Sequence, residues 1–311
     1  MDATTGRLSS IPSRRNRSPR ASLAGTLAAG ALFAYALLFG WPPGLDAQEA
    51  SYAGAVAAET RLEWDSGELV VKLSLDIVKA GLRLPAARSE AERILERMAP
   101  SIVKETILSI QVDSYRKVSD TLDDGSIDPA ELRAFLDAGT RLRAVMSQDA
   151  RRLETEYRWS LPALAALYAR HGAAIALQPS SRYVATRPYS GIVIYVRGEL
   201  PVRGEQLAAR PNPCLLPRIY DDKMNLILDR YRVEAERFAF GLPVAYAYSL
   251  SDPVIEARAG GDPLRILASA LFGSMRTDAV IPEAEALKIL ADPANRELVR
   301  LGRVVFVFLP D

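Results

Sequence analysis

From about residue 68 the chain settles into an alternation of period two. Leu69, Val71, Leu73 and Leu75 alternate with Glu68, Val70, Lys72, Ser74 and Asp76, which predicts a strand with one buried face. Leu62 and Trp64 precede Asp65-Ser66-Gly67, a turn signal, so the strand is expected to form the second arm of a hairpin. The period then lengthens. Ala87, Ala91, Ile94 and Met98 fall on one helical face. Pro100 would lose a backbone hydrogen bond inside that helix and clash with the preceding turn, so a second short helix through Ile102 and Lys104 is expected to begin there. Residues 110–114 read as a strand. Leu132, Phe135, Leu136, Leu142, Val145 and Met146 predict a helix from 129 to about 150, followed by a strand over 152–161.

Beyond residue 190 strands dominate. They are expected over 191–196, 214–220, 226–229, 244–249, 264–270, 279–281 and 304–309, with a helix over about 283–290. A second short helix follows Asp292-Pro293, where Asp caps and Pro takes the first helical position. Gly172, Pro179, Ser180, Ser181 and Pro188 cluster between the two patterned regions. The expected class is therefore α+β. An N-terminal β-α-β-α-β domain (48–172) leads through a linker (173–188) to a strand-rich α+β C-terminal domain (189–311).

Charge adds a compartment. Arg7, Arg14, Arg15, Arg17 and Arg20 make the start basic, and residues 21–45 carry no charge. Pro42, Pro43 and Gly44 then break any helix, and Leu45-Asp46-Ala47 offers a small-residue cleavage site. Residues 1–47 thus read as a signal peptide or as a signal anchor, because the apolar run is close to the length that spans a bilayer. The whole chain has 39 Lys and Arg against 38 Asp and Glu. Without residues 1–47, which hold five arginines and two aspartates, the balance is 34 against 36, a formal charge of −2. That remainder has no cationic excess with which to neutralise a phosphate backbone, so nucleic acid is not an expected partner.

Candidate chemistry is thin. There is one histidine, His171, and one cysteine, Cys214, which excludes a disulfide framework or a zinc ribbon built by this chain alone. Asp120, Asp124, Gly125, Ile127, Asp128 and Glu131 fall on positions 1, 5, 6, 8, 9 and 12 of a calcium loop, but Leu122 occupies position 3, where an oxygen donor is required. A turn at Asp123-Asp124-Gly125, with Asp128 as helix cap, Pro129 next and Glu131 completing a capping box, accounts for the same residues. His171 before Gly172 reads as a helix C-terminal residue, without the nucleophile and carboxylate a catalytic base needs. Cys214, among apolar neighbours, reads as buried and inert. Gly260-Gly261-Asp262-Pro263 lacks the spacing of a phosphate loop and reads as a turn entering a strand. No catalytic, cofactor or metal set is therefore expected.

The second half carries a resemblance. Tyr189-Ser190-Gly191-Ile192-Val193-Ile194-Tyr195-Val196-Arg197-Gly198, Pro217-Arg218-Ile219-Tyr220-Asp221, the run Arg258, Gly260, Asp262, Pro263 and Leu264, and Thr277-Asp278 with Val280-Ile281 are similar to motifs of uncharacterised exported bacterial proteins. These are grouped with Lpp-twenty-type envelope lipoproteins and flagellar outer-membrane assembly factors. The likeness covers about residues 185–309. Tyr195 stands where many relatives have Asp, and no cysteine near the leader offers a lipidation site. The matched positions, among them Gly191, Arg197, Gly198, Pro217, Asp221, Gly260, Pro263 and Asp278, look like a fold signature.

The resemblance and the leader together imply an exported, periplasm-facing envelope protein. It would be non-enzymatic, with a structural or assembly role, a protein partner in the envelope and membrane anchoring through residues 21–45. The alternative is a small-ligand or peptide-binding module with a cleft between its halves, in a half rich in tyrosine: Tyr183, Tyr189, Tyr195, Tyr220, Tyr231, Tyr246 and Tyr248. A hydrolase using His171 or acidic pairs has the least support.

Overall fold

The computed structural model describes residues 52–310 apart from 53, 84 and 183. The leader, including the 21–45 segment expected to export or anchor the chain, lies outside the described residues, as does Tyr183. The period-two pattern near the start forms the hairpin it predicts. Strand β1 (Val56–Glu63) pairs antiparallel with β2 (Glu68–Asp76) in unbroken register, and β5 (Arg152–Ser160) lies on the far side of β2. Short strands β3 (Thr140–Arg141) and β4 (Val145–Met146) complete the sheet against β5. Leu69, Val71, Leu73 and Leu75 are fully buried beneath helix α1 (Ala87–Ser109).

Three expectations fail in this half. Helix α1 does not break at Pro100 but runs through it. An interior proline costs about 3 kcal/mol. The buried stripe continues past it through Val103 and Ile107, and each such side chain contributes roughly 1.5–3 kcal/mol on burial. Ser101 Oγ also donates to Met98 O (2.9 Å), beside the hydrogen bond the proline removes.

Residues 110–114 form no strand. Asp113 accepts from Tyr115 N (3.0 Å) and Arg116 N (3.1 Å), which turns the chain so that Gln111 bridges only Lys117. Two short helices follow, α2 (Val118–Asp123) and α3 (Pro129–Asp137).

Helix α3 stops far short of residue 150, because Gly139 sits against the indole of Trp159, where a Cβ would come within 2.4 Å of the ring. Trp159 Nε1 donates to Leu136 O (3.0 Å) and holds the helix end in place. Past the glycine the chain turns onto β5, with Leu142 N donating to Glu156 O (2.8 Å). The order in this half is thus β-β-α-α-α-β-β-β-α, ending in α4 (Leu161–Ala166), not the β-α-β-α-β expected.

Among the described residues, the stretch 172–190 has no helix or strand. The second half holds two four-stranded sheets. One is wholly parallel, in the order β11 (Ala245–Ala247), β15 (Val304–Leu309), β6 (Ile192–Arg197), β12 (Leu264–Leu267). Parallel strands need both faces covered, and β6 and β15 accordingly read as nearly continuous apolar runs. The helix α5 (Pro253–Ala259) packs Ile255 and Ala259 on one face with Val193, Val305 and Val307, and the other face joins the main core.

The second sheet runs β10 (Leu226–Leu228), β9 (Ile219–Asp221), β14 (Asp278–Ile281), β13 (Ala270–Phe272). A small hairpin, β7 (Leu200–Pro201) with β8 (Ala208–Ala209), stands apart. Helices α6 (Glu283–Ala291) and α7 (Pro293–Arg300) occur as expected, and Asp292 caps the latter by accepting from Ala294 N (2.7 Å).

Three strand expectations are shortened, and the one over 244–249 is a strand only at Ala245–Ala247. Residues 214–218 are not in a strand, since Pro213 and Pro217 cannot donate to a ladder. The expected strand 264–270 is split between sheets: Ala268 N donates to Tyr195 O (2.9 Å) and Ser269 N to Val280 O (2.8 Å). One apolar core runs through both halves, from Leu69 and Ile94 to Phe306, and the α+β class holds.

Replacing Gly139 with alanine forces a methyl into the Trp159 ring. The expected outcome is a loss of about 1–3 kcal/mol in stability, read from the midpoint of urea unfolding. An unchanged midpoint would separate the helix end from the indole.

Candidate functional site

The densest group of buried polar side chains lies where the two halves meet. Ser114, Thr277 and Asp278 are each at most 2% exposed. Ser114 is carried on the turn that Asp113 organises, and Thr277 and Asp278 lead into and open β14. The turn approaches closely because Gly273 faces it without a side chain. The Thr277 hydroxyl donates to Asp278 Oδ1 (3.2 Å), so in the 2.6 Å contact between Ser114 Oγ and Thr277 Oγ1 it is the serine that donates. Arg218 N donates to Asp278 Oδ1 (3.0 Å), and Asp278 Oδ2 is buried with no partner among the described atoms.

Burial pushes the Asp278 carboxyl up to about 6, against the opposing pull of the Arg218 N–H and the two hydroxyls. Cys214 lies within reach of this group. Its N accepts no part in a ladder but donates to Tyr246 Oη (3.1 Å), which donates in turn to Cys214 O (2.8 Å). Burial, with the Asp278 charge second, pushes the thiol well above its usual range, so the cysteine is an inert core residue. The arrangement is a buried hydrogen-bond chain from Ser114 through Thr277 to Asp278. Chemically it can hold the halves in register and exchange one proton.

The other singled-out residues are scattered, and each serves its own surroundings. In the calcium-like loop, Asp120 Oδ2 accepts from Lys117 N (2.7 Å), Asp124 Oδ1 from Ser126 N (2.8 Å) and Asp128 Oδ1 from Ala130 N (2.8 Å). Glu131 pairs with Arg170 instead of closing a capping box. The cation in this loop is the Arg116 guanidinium, 2.7 Å from Asp113 Oδ2 and 3.0 Å from Asp124 Oδ2. Its neighbours hold the Asp124 carboxyl below its ordinary value, first through Ser126 and then through Arg116.

His171 does not end a helix, since α4 closes at Ala166. Its Nε2 donates to Val233 O (2.8 Å), which fixes the tautomer and leaves Nδ1 bare and buried against Tyr231.

The signature positions are explained by backbone needs. A Cβ on Gly191 would come within 2.4 Å of Ala259 Cα, where β6 passes under α5. Gly260, at φ +76°, turns the chain from α5 towards β12, and Pro263 is buried beside it. Gly198, at φ +59°, donates to Leu309 O (2.9 Å), and Arg197 is exposed at the end of β6. Asp221 accepts from Lys223 N (2.9 Å), Asn225 N (2.7 Å) and Asn225 Nδ2 (2.7 Å), the complete wiring of a tight turn. Pro217 is buried ahead of β9.

One groove of about 310 Å³ opens between the hairpin tip and the second half, lined by Trp64, Pro162, Phe240, Leu242, Val254 and Arg258 among others. None of the described tyrosines expected at a cleft lines it. Tyr246 is wholly buried between Trp64, Phe306 and Phe308. Among the described residues, no helix is long and apolar enough to cross a membrane.

Ser114 falls in the expected strand 110–114 and Thr277 in a matched motif, but nothing in the sequence links the two, which lie 163 positions apart. The one available signal was a Thr-Asp pair at the start of an apolar strand.

Asp278 makes stability depend on pH. In the unfolded chain the carboxyl ionises near 3.8, in the folded chain near 6. Below both values it contributes nothing. As pH rises between them the unfolded state loses its proton first, so stability falls, by about 3 kcal/mol in total. Asp278→Asn is therefore expected to gain on the parent chain between pH 4 and pH 7, as read by urea unfolding at both. Parallel pH dependences would overturn this.

Comparison of the chain with curated proteins gives no match. Residues 55–167 match the family model of the Treponema pallidum Tp0624 N-terminal domain and residues 191–310 that of the Tp0624 second domain, so the chain is similar to Tp0624 in two domains that follow one another in the same order.

Proposed function

We propose that the chain is an exported, periplasm-facing component of the cell envelope with a structural or assembly role and a protein partner. The observation that carries this reading is the basic segment 1–20 followed by the uncharged run 21–45, a pattern that drives export whether the leader is then cleaved or kept as an anchor. The carboxylates of the loop 120–131 and of Asp221 serve turns, caps and ion pairs, contacts of a structural kind. A flagellar connection rests on the motif resemblance alone.

A peptide- or small-ligand-binding module is the second reading, favoured by the apolar groove around Phe240, a side chain left 83% exposed. A thermal-shift screen in which no ligand class stabilises the chain would remove it.

Fractionation of the native host, with mass spectrometry of the N-terminus, tests the leading reading. The expected result is a periplasmic or membrane-bound chain, beginning near Gln48 if the leader is cleaved and with residues 21–45 retained if it anchors. A cytosolic chain with its leader intact would overturn it.

A further inference from the structure

Strand β1 is the outermost strand of the first sheet, and among the described residues nothing pairs with its outer edge. It is eight residues long, contains no proline and keeps an unbulged register with β2. The stretch from Ala57 to Arg61 is exposed. Long, regular, uncovered edges are templates for pairing.

The backbone phase of that edge follows from one bond. Asp76 N donates to Ala55 O (2.9 Å), so the pair 55/76 faces inward to β2. Antiparallel pairs alternate between bonded and non-bonded. Residues 57, 59, 61 and 63 therefore turn their N–H and C=O groups to β2, and 56, 58, 60 and 62 turn theirs outward.

We propose that β1 pairs antiparallel with β1 of a second copy of this chain, about a two-fold axis at Thr60, to form one sheet across two subunits. In that register Thr60 lies opposite Thr60 of the other copy and Ala58 opposite Leu62, so outward-facing backbone groups meet outward-facing groups. Glu59 then falls opposite Arg61, twice by symmetry, and at non-bonded positions, where facing side chains come closest. Moving the axis by one residue either way sets like against like, Glu59 on Glu59 or Arg61 on Arg61. An axis at Leu62 also sets Arg61 opposite Glu63 but pairs only residues 61–63 of the strand, whereas the axis at Thr60 pairs residues 57–63, so charge and overlap together favour the Thr60 register. A two-fold contact of this kind is self-complementary and closes without growing into fibres.

The test is charge reversal in the full chain, purified in a mild detergent and weighed by sedimentation. The parent chain is expected to dimerise. Glu59→Arg and Arg61→Glu each set two like-charged pairs across the axis, and each is expected to weaken dimerisation by about tenfold or more. An equimolar mixture of the two variants restores both opposite-charge pairs and is expected to recover dimers. Both side chains are exposed on the strand, so circular dichroism and melting of each variant should match the parent. A chain that stays monomeric throughout the micromolar range would overturn the proposal. So would a dimer unmoved by either reversal, or a mixture that fails to recover.

Discussion

The joining of the two halves depends on the missing side chain at Gly273. A Cβ there would lie 2.3 Å from Ser114 Cβ, and the backbone at φ +87° is one that other residues rarely adopt. With glycine in place, the turn of the first half seats close enough for Met275 N (3.0 Å) and Ser274 Oγ (2.7 Å) to reach Ser114 O. The same approach lets Leu215 N and Leu216 N donate to Gln111 O and Val112 O. These are directional bonds, so the relative register of the halves is set by hydrogen-bond geometry as well as by apolar area.

Asp278 is the cost of that arrangement. It and Asp221 are both buried carboxylates on strands of the same sheet, and burial pushes the Asp278 carboxyl up to about 6. Their donors differ. Asp221 has three around its two oxygens, whereas the donors to Asp278 converge on Oδ1 and leave Oδ2 bare. Burial of a poorly paired charge disfavours ionisation. An apolar residue at 278 would avoid the penalty but leave Arg218 N and the Thr277 hydroxyl without an acceptor, and those groups tie the second sheet to the turn at Ser114.

Elements with a strong local period were legible in the sequence. The hairpin, β15 and helices α6 and α7 follow from alternation, apolar runs and an Asp-Pro start. The same Asp-Pro signature opens α5 at Asp252-Pro253, but that helix is seven residues long and buries only Ile255 and Ala259, too short for a period to show. The misread ends have tertiary causes. The stripe of α1 outweighs Pro100, the Trp159 indole stops α3 at Gly139, and Asp113 bends residues 110–114 away from a strand. The turn-and-cap account of residues 120–131 was legible because each contact there is local. The seam was not, because Ser114 and Thr277 carry no signal of each other until the chain has folded.

The edges of the sheets show how unusual β1 is within its own molecule. Strand β11 bounds the parallel sheet with three residues, β12 with four, and β3 bounds the first sheet with two. Edges this short offer too few backbone groups to template another chain, which is one way proteins avoid unwanted pairing. Strand β1 is long, and its charges alternate in sign along one face as Glu59, Arg61 and Glu63. A run of one sign would repel a second copy in most registers. Alternating signs repel some registers and attract others, so they narrow the choice of partner without closing the edge. For a protein proposed to act by assembly, that is the difference between a guarded edge and an addressed one.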